Sequence, residues 1–160
     1  MNLRPLSLIA GLLLLAACAQ TPATTATQGG GGQAATTATT ITPGSEQDLV
    51  KNVGDRVFFA FDKSEISSEG RVTLQRQAEW LKKYPNVTVT VEGHCDERGT
   101  EEYNLALGER RATAARNALV ALGIAPNRIK TISYGKERPI VLGSNEAAWA
   151  QNRVAISVVN

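Results

Sequence analysis

The sequence predicts an α+β sandwich, a mixed β-sheet with helices on one face, in the order β-α-β-α-β-β over residues 46–160. Three observations predict it. Residues 87–91 read Val-Thr-Val-Thr-Val, a strict alternation that suits a half-buried strand. Residues 67–84 and 101–122 repeat apolar side chains at helical spacing. β-prone runs at 56–61, 128–133 and 154–159 lie around them, and strands alternating with helices make a sheet that the helices cover.

Each element follows in order. The run 56–61 is apolar and aromatic and forms the first strand. Ser67-Ser68-Glu69 opens a helix in which Leu74, Ala78 and Leu81 share a face, and Tyr84-Pro85-Asn86 ends it. The strand at 87–91 turns its valines inward. A loop over 93–100 precedes the longest helix, 101–122, whose apolar stripe is Leu105, Ala112, Ala115, Leu119 and Leu122, with Gly123 as its stop. A third strand spans 128–133, and a short helix at 146–152 precedes the last, 154–159. In that strand Val154, Ile156 and Val158 face one way, and its C-terminal place suggests that it closes the sheet.

The first 45 residues have a different character. Arg4 is followed by an apolar stretch over 6–15, broken by Ser7 and Gly11, then Leu15-Ala16-Ala17-Cys18. This is the layout of a secretory signal over 1–17, well short of the ~20 residues needed to span a bilayer. A cysteine after two alanines resembles the lipobox of bacterial lipoproteins. That resemblance implies diacylglycerol on the Cys18 sulfur, cleavage before it and an N-acyl lipid on the new terminus. The competing reading is a chance cysteine near an ordinary signal. Ala19, in place of the aspartate that retains such proteins at the inner membrane, favours the outer one. From 19 to 43 the chain is uncharged, rich in Thr, Ala, Gly and Gln, with Gly29 to Gly32 consecutive. Such a stretch has too little apolar surface to offset its ordering entropy, so residues 18–45 read as a lipidated terminus and flexible tether. About 26 flexible residues span roughly 25–30 Å on average.

Composition excludes more than it identifies. A net charge of +2 and 5% aromatic residues argue against nucleic acid as a partner. The chain has two cysteines, so with Cys18 lipidated Cys95 has no partner for a disulfide within the chain.

His94-Cys95-Asp96-Glu97 contains residue types that ligate metal or serve a nucleophile. Neighbours in an extended segment point to opposite sides, and the chain has no second histidine to complete a zinc site. A small, buried Cys95 is therefore preferred over metal binding or a Cys/His hydrolase. Glu101, Glu102 and Glu109 read as a solvated helix face. Asp96 and Arg111 stand apart. Asp96 lies in the loop between a strand end and a helix, and Asn104, Leu107 and Arg111 form a stripe on that helix at i, i+3 and i+7. A carboxylate facing a guanidinium across a small cleft forms an ion pair or holds a ligand bearing both charges.

The segments Gly93-His94-Cys95-Asp96-Glu97-Arg98-Gly99-Thr100 and Tyr103-Asn104-Leu105-Ala106-Leu107-Gly108-Glu109-Arg110-Arg111-Ala112 resemble the core signature of the OmpA-like peptidoglycan-binding domain. The likeness runs from about Val57 to the C-terminus. It takes in Phe58-Phe59-Ala60-Phe61-Asp62 with Ser64, Ser133-Tyr134-Gly135 with Pro139, and Asn152-Arg153. Cys95 stands where the family usually has threonine, and Val154 where it usually has a second arginine. The resemblance implies a non-catalytic domain without a metal or other cofactor. In it Asp96 and Arg111 grip the zwitterionic end of meso-diaminopimelate in the stem peptide, and Phe61, Asp62, Asn104 and Leu107 line the same pocket. It further implies an outer-membrane lipoprotein that tethers that membrane to peptidoglycan, contacts TolB in the periplasm in competition with the wall, with TolA as a secondary partner, and serves cell division and envelope integrity. Against it stands a wall hydrolase using His94 and Cys95.

Overall fold

In the computed structural model, residues 41–160 are described. The signal at 1–17, Cys18 and most of the tether lie outside the described residues. The described elements are a short helix α1 (Glu46–Asp48), which continues into a wider turn at Leu49–Val53, then β1 (Arg56–Phe58), α2 (Ser68–Lys83), β2 (Val89–His94), α3 (Glu101–Ala121), β3 (Ile129–Gly135), α4 (Glu146–Asn152) and β4 (Val154–Val159).

The sheet is mixed, in the order β1-β4-β2-β3. β2 and β3 are parallel, as the helical crossover α3 between them requires. β4 is antiparallel to both β1 and β2. It does not complete the sheet at an edge but enters between the first two strands. Ala155 and Ser157 point toward the helices, where Ser157 Oγ donates to Gln77 Oε1 at 2.9 Å. Val154, Ile156 and Val158 do face one way, onto the opposite side of the sheet.

Local signals set the helix ends. The Ser67, Thr100 and Asn145 side chains accept from Gly70, Tyr103 and Ala148 N–H, capping α2, α3 and α4. Gly123 stops α3 at φ +95°. Val57, Leu74, Ala78, Leu81, Val89, Val91, Ala112, Ala115 and Leu119 form the core between α2, α3 and the sheet.

Three expectations need correcting. β1 ends at Phe58, not at residue 61, because its partner β4 begins at Val154, opposite Phe58. The chain then turns, with Asp62 at φ +57°, a conformation aspartate tolerates better than most residues. β2 runs past the alternating segment to His94, starting at Val89. Leu105 is half exposed (50%) and not in the core, because the first turns of α3 lie along the edge strand β3, which has no outer neighbour among the described residues. The buried face of α3 carries Asn104, Leu107, Gly108 and Arg111 as well as Ala112, Ala115 and Leu119.

Candidate functional site

The cleft forms where three chain segments end together: the turn after β1, the loop after β2, and the first turns of α3. It has a volume of about 200 Å³ and is lined by Phe61, Asp62, Cys95, Asp96, Arg98, Gly99, Tyr103, Asn104, Leu107 and Arg111. The structure thus brings together all six residues singled out in the sequence for the pocket.

Arg111 is 1% exposed, yet its head is held by neutral groups. Nε donates to Lys63 O at 2.9 Å, Nη1 to His94 O at 2.8 Å and to Cys95 Sγ at 3.4 Å, and Nη2 to Ala60 O at 3.3 Å. The guanidinium also sits 5.3 Å from the Phe59 ring centroid. Among the described residues no carboxylate pairs with it, so the sequence-level option of an Asp96–Arg111 ion pair is not taken. Burial pulls its pKa below the ordinary value, against the nearby Cys95 and Asp96 groups. Four of its five donors are engaged, which leaves one N–H of Nη2 for a ligand oxygen.

Asp96 is 4% exposed and pairs elsewhere. Its Oδ1 accepts from Arg98 N at 3.2 Å and Arg98 Nε at 3.0 Å; its Oδ2 accepts from Arg98 Nη2 at 2.7 Å and Arg153 Nη1 at 3.4 Å. Burial pushes the Asp96 pKa up, but the Arg98 bonds and charge, with Arg153, outweigh it and hold the carboxyl below its ordinary value. Arg153 also donates to Phe59 O and Glu146, which fixes it against the end of β1.

The remaining residues shape the rim. Tyr103 O–H donates to Asp62 Oδ1, and that bond raises the tyrosine pKa. Asn104 uses both amide hydrogens to brace the loop, donating to Arg98 O at 2.8 Å and Thr100 O at 3.0 Å. Leu107 is buried beneath them. Cys95 is 2% exposed, and its thiol donates to Asn104 O at 3.3 Å. Burial raises its pKa, with Arg111 opposing.

His94 does not face Cys95. Its Nδ1 bonds Arg138 O at 3.0 Å, its ring lies 5.4 Å from that of Tyr134, and Nε2 stands 3.7 Å from Glu92. Burial lowers the histidine pKa, only partly offset by the Arg138 carbonyl and Glu92. The two residues therefore form no nucleophile–base pair. Among the described residues no group of three or more His, Cys, Asp or Glu could hold a metal ion.

Sequence reasoning named Arg98 and Tyr103 only within the motif, with no role in the pocket, and missed Trp149. Arg98 stands two positions after Asp96, a spacing that allows the local fork-to-carboxylate pair. The Arg98 guanidinium carbon lies 4.1 Å from the ring centroid of Phe61 and 4.1 Å from that of Trp149. Trp149 comes from α4, over 50 residues away in sequence, and no local pattern pointed to it. Asn152 was visible only as a motif residue. Its Oδ1 accepts from Ile140 N and Val141 N, and it pins the loop beside the site.

Residues 58–153 match the OmpA family. A peptidoglycan-associated lipoprotein of Rhizobium meliloti (strain 1021) is 56% identical over 118 residues, 74% of this chain and 67% of that one. The peptidoglycan-associated lipoprotein of Brucella melitensis is 54% identical over 119 residues, 74% of this chain and 71% of that one. The crystal structure of the peptidoglycan-associated lipoprotein from Burkholderia pseudomallei has 41% identity and a TM-score of 0.66, covering 71% of this chain and 100% of the other.

Proposed function

The chain belongs to the OmpA family and, within it, to the peptidoglycan-associated lipoproteins, and from that premise we propose that its cleft binds the free end of meso-diaminopimelate in the stem peptide. The protein is a non-enzymatic envelope component. The observation that most supports the ligand is Arg111. A buried guanidinium with no carboxylate partner among the described residues, and one donor unused, is a receptor for a carboxylate from outside. Asp96, on the same cleft, is the acceptor for the ammonium of the same zwitterion. Asp62, held by Tyr103, and Phe61 form the outer rim, and Leu107 and Asn104 form the floor and brace.

With Cys18 lipidated by diacylglycerol and an N-acyl chain, and residues 18–45 as a tether, the protein would strap the outer membrane to the wall from the periplasmic side. Several acyl chains, at about 0.8 kcal/mol per buried methylene, are a firm anchor. In the Tol–Pal envelope system, which serves cell division and envelope integrity, TolB and TolA are the expected partners.

Sedimentation of the full chain with purified diaminopimelate-type wall tests the pocket. Asp96→Ala and Arg111→Ala should leave the chain in the supernatant while circular dichroism shows it folded; binding equal to wild type would remove the assignment. Lysine-type wall should bind poorly, because lysine lacks the second carboxylate.

A further inference from the structure

The Asp96 carboxylate has no lone pair to offer. A carboxylate carries about four acceptor sites, and four bonds reach this one: two from the Arg98 side chain, one from Arg98 N and one from Arg153. A ligand ammonium can reach Asp96 only by replacing one of them. Two of them are poor candidates to leave. Arg98 N is backbone, and the Arg153 side chain is 9% exposed and locked by Phe59 O and Glu146. The Arg98 side chain, at 32%, is the accessible one.

Its surroundings describe a cation site. The guanidinium lies between the Phe61 and Trp149 rings, 4.1 Å from each centroid, with the carboxylate alongside. Two aromatic faces and a carboxylate attract any compact cation, most strongly where water is excluded. The Trp149 wall is itself built: its Nε1 donates to Glu97 at 3.0 Å, and the other Glu97 oxygen accepts from Ser144 Oγ at 3.1 Å.

We infer that the slot between Phe61 and Trp149 is the ammonium subsite of the cleft, filled in the ligand-free chain by Arg98, which leaves when a ligand ammonium takes its place beside Asp96. Arg98 is thus a specificity-determining residue that competes with the ligand and sets its affinity. Glu97 and Glu146 are the nearby carboxylates that would receive the displaced guanidinium. A self-ligand in place about nine-tenths of the time lowers apparent affinity about tenfold, because only the open fraction binds. The inference rests on the proposed zwitterionic ligand.

The test is calorimetric titration of the full chain with two soluble stem peptides, one ending in meso-diaminopimelate and one ending in its analogue without the distal ammonium. Arg98→Ala and Arg98→Gln should each bind the first about tenfold more tightly than wild type and the second unchanged. In the Arg98→Ala background, Trp149→Ala should weaken the first peptide alone. Weaker or unaltered binding of the first peptide by both Arg98 variants overturns the inference and makes Arg98 a ligand contact or a bystander. If Asp96→Ala and Arg111→Ala abolish binding while that happens, only the competition fails. If wild type binds neither peptide, the ligand assignment fails with it.

Discussion

Gly93 of β2 and Gly108 of α3 meet backbone to backbone: a Cβ on Gly93 would stand 1.9 Å from the Gly108 carbonyl oxygen. This approach seats α3 against the strand end, so that Arg111, one turn later, reaches the His94 carbonyl. Gly93→Ala must push the helix away, and overpacking of this kind costs about 1–3 kcal/mol. Gly108→Ala would crowd the Ser133 hydroxyl first, at 2.3 Å, a side chain that can turn at the cost of its own bonds. Urea unfolding should rank Gly93→Ala as the more damaging, and wall sedimentation should fall in the same order.

Arg111 is as much a structural residue as a receptor. Arg111→Lys keeps the charge but replaces a planar fork by three donors on a flexible stem, which cannot serve Lys63 O, His94 O and Ala60 O together. A loss of about 2–4 kcal/mol is expected from the unsatisfied buried carbonyls. Denaturant midpoints measure it, and a lysine variant as stable as wild type would show that the carbonyl cradle contributes nothing.

Two groups with depressed pKa values predict acid lability in separate windows. A group whose folded pKa lies below its unfolded value stabilises above the unfolded value and loses that contribution as pH falls through the folded one. For His94 the loss starts below its ordinary 6.5. For Asp96 it starts below 3.8. Stability measured against pH should therefore fall in two steps on acidification. His94→Gln should flatten the upper step and Asp96→Asn should shrink the lower, to which Asp48 and Glu69, also held below their ordinary values, contribute; a profile unaffected by either substitution would contradict both assignments.

Cys95 should behave as an inert core thiol. Burial holds it as the neutral form, and the thiolate is the reactive species. Iodoacetamide at neutral pH should label Cys95 only as fast as the chain opens, followed by mass spectrometry of its peptide. Prompt labelling of the native chain would mean that the thiol is exposed.

Much of the fold was legible because periodicity is a local property. The Val-Thr alternation, the α2 face of Leu74, Ala78 and Leu81, and the Ser67 cap each depend on a few neighbouring residues. Leu105 misled for a non-local reason: its stripe position is apolar, but that part of α3 lies along an edge strand. The cleft was half legible. Asp96, Asn104, Leu107 and Arg111 share a helix and its entry loop, whereas Trp149 and Arg153 arrive from the far end of the chain.

By itself the sequence determined the element types, their order and the motif that carries the family, since each is written in short-range spacing. Only the tertiary structure decided which charges distant in sequence meet. It inserted β4 between β1 and β2, which carries Arg153 to Asp96 and Trp149 to Arg98. Asp96, already held by Arg98 in its own loop, thereby gained its fourth bond, while Arg111, cradled by carbonyls, was left without a carboxylate partner among the described residues. Pairing in space depends on sheet order and helix seating, and no single stretch of sequence encodes either.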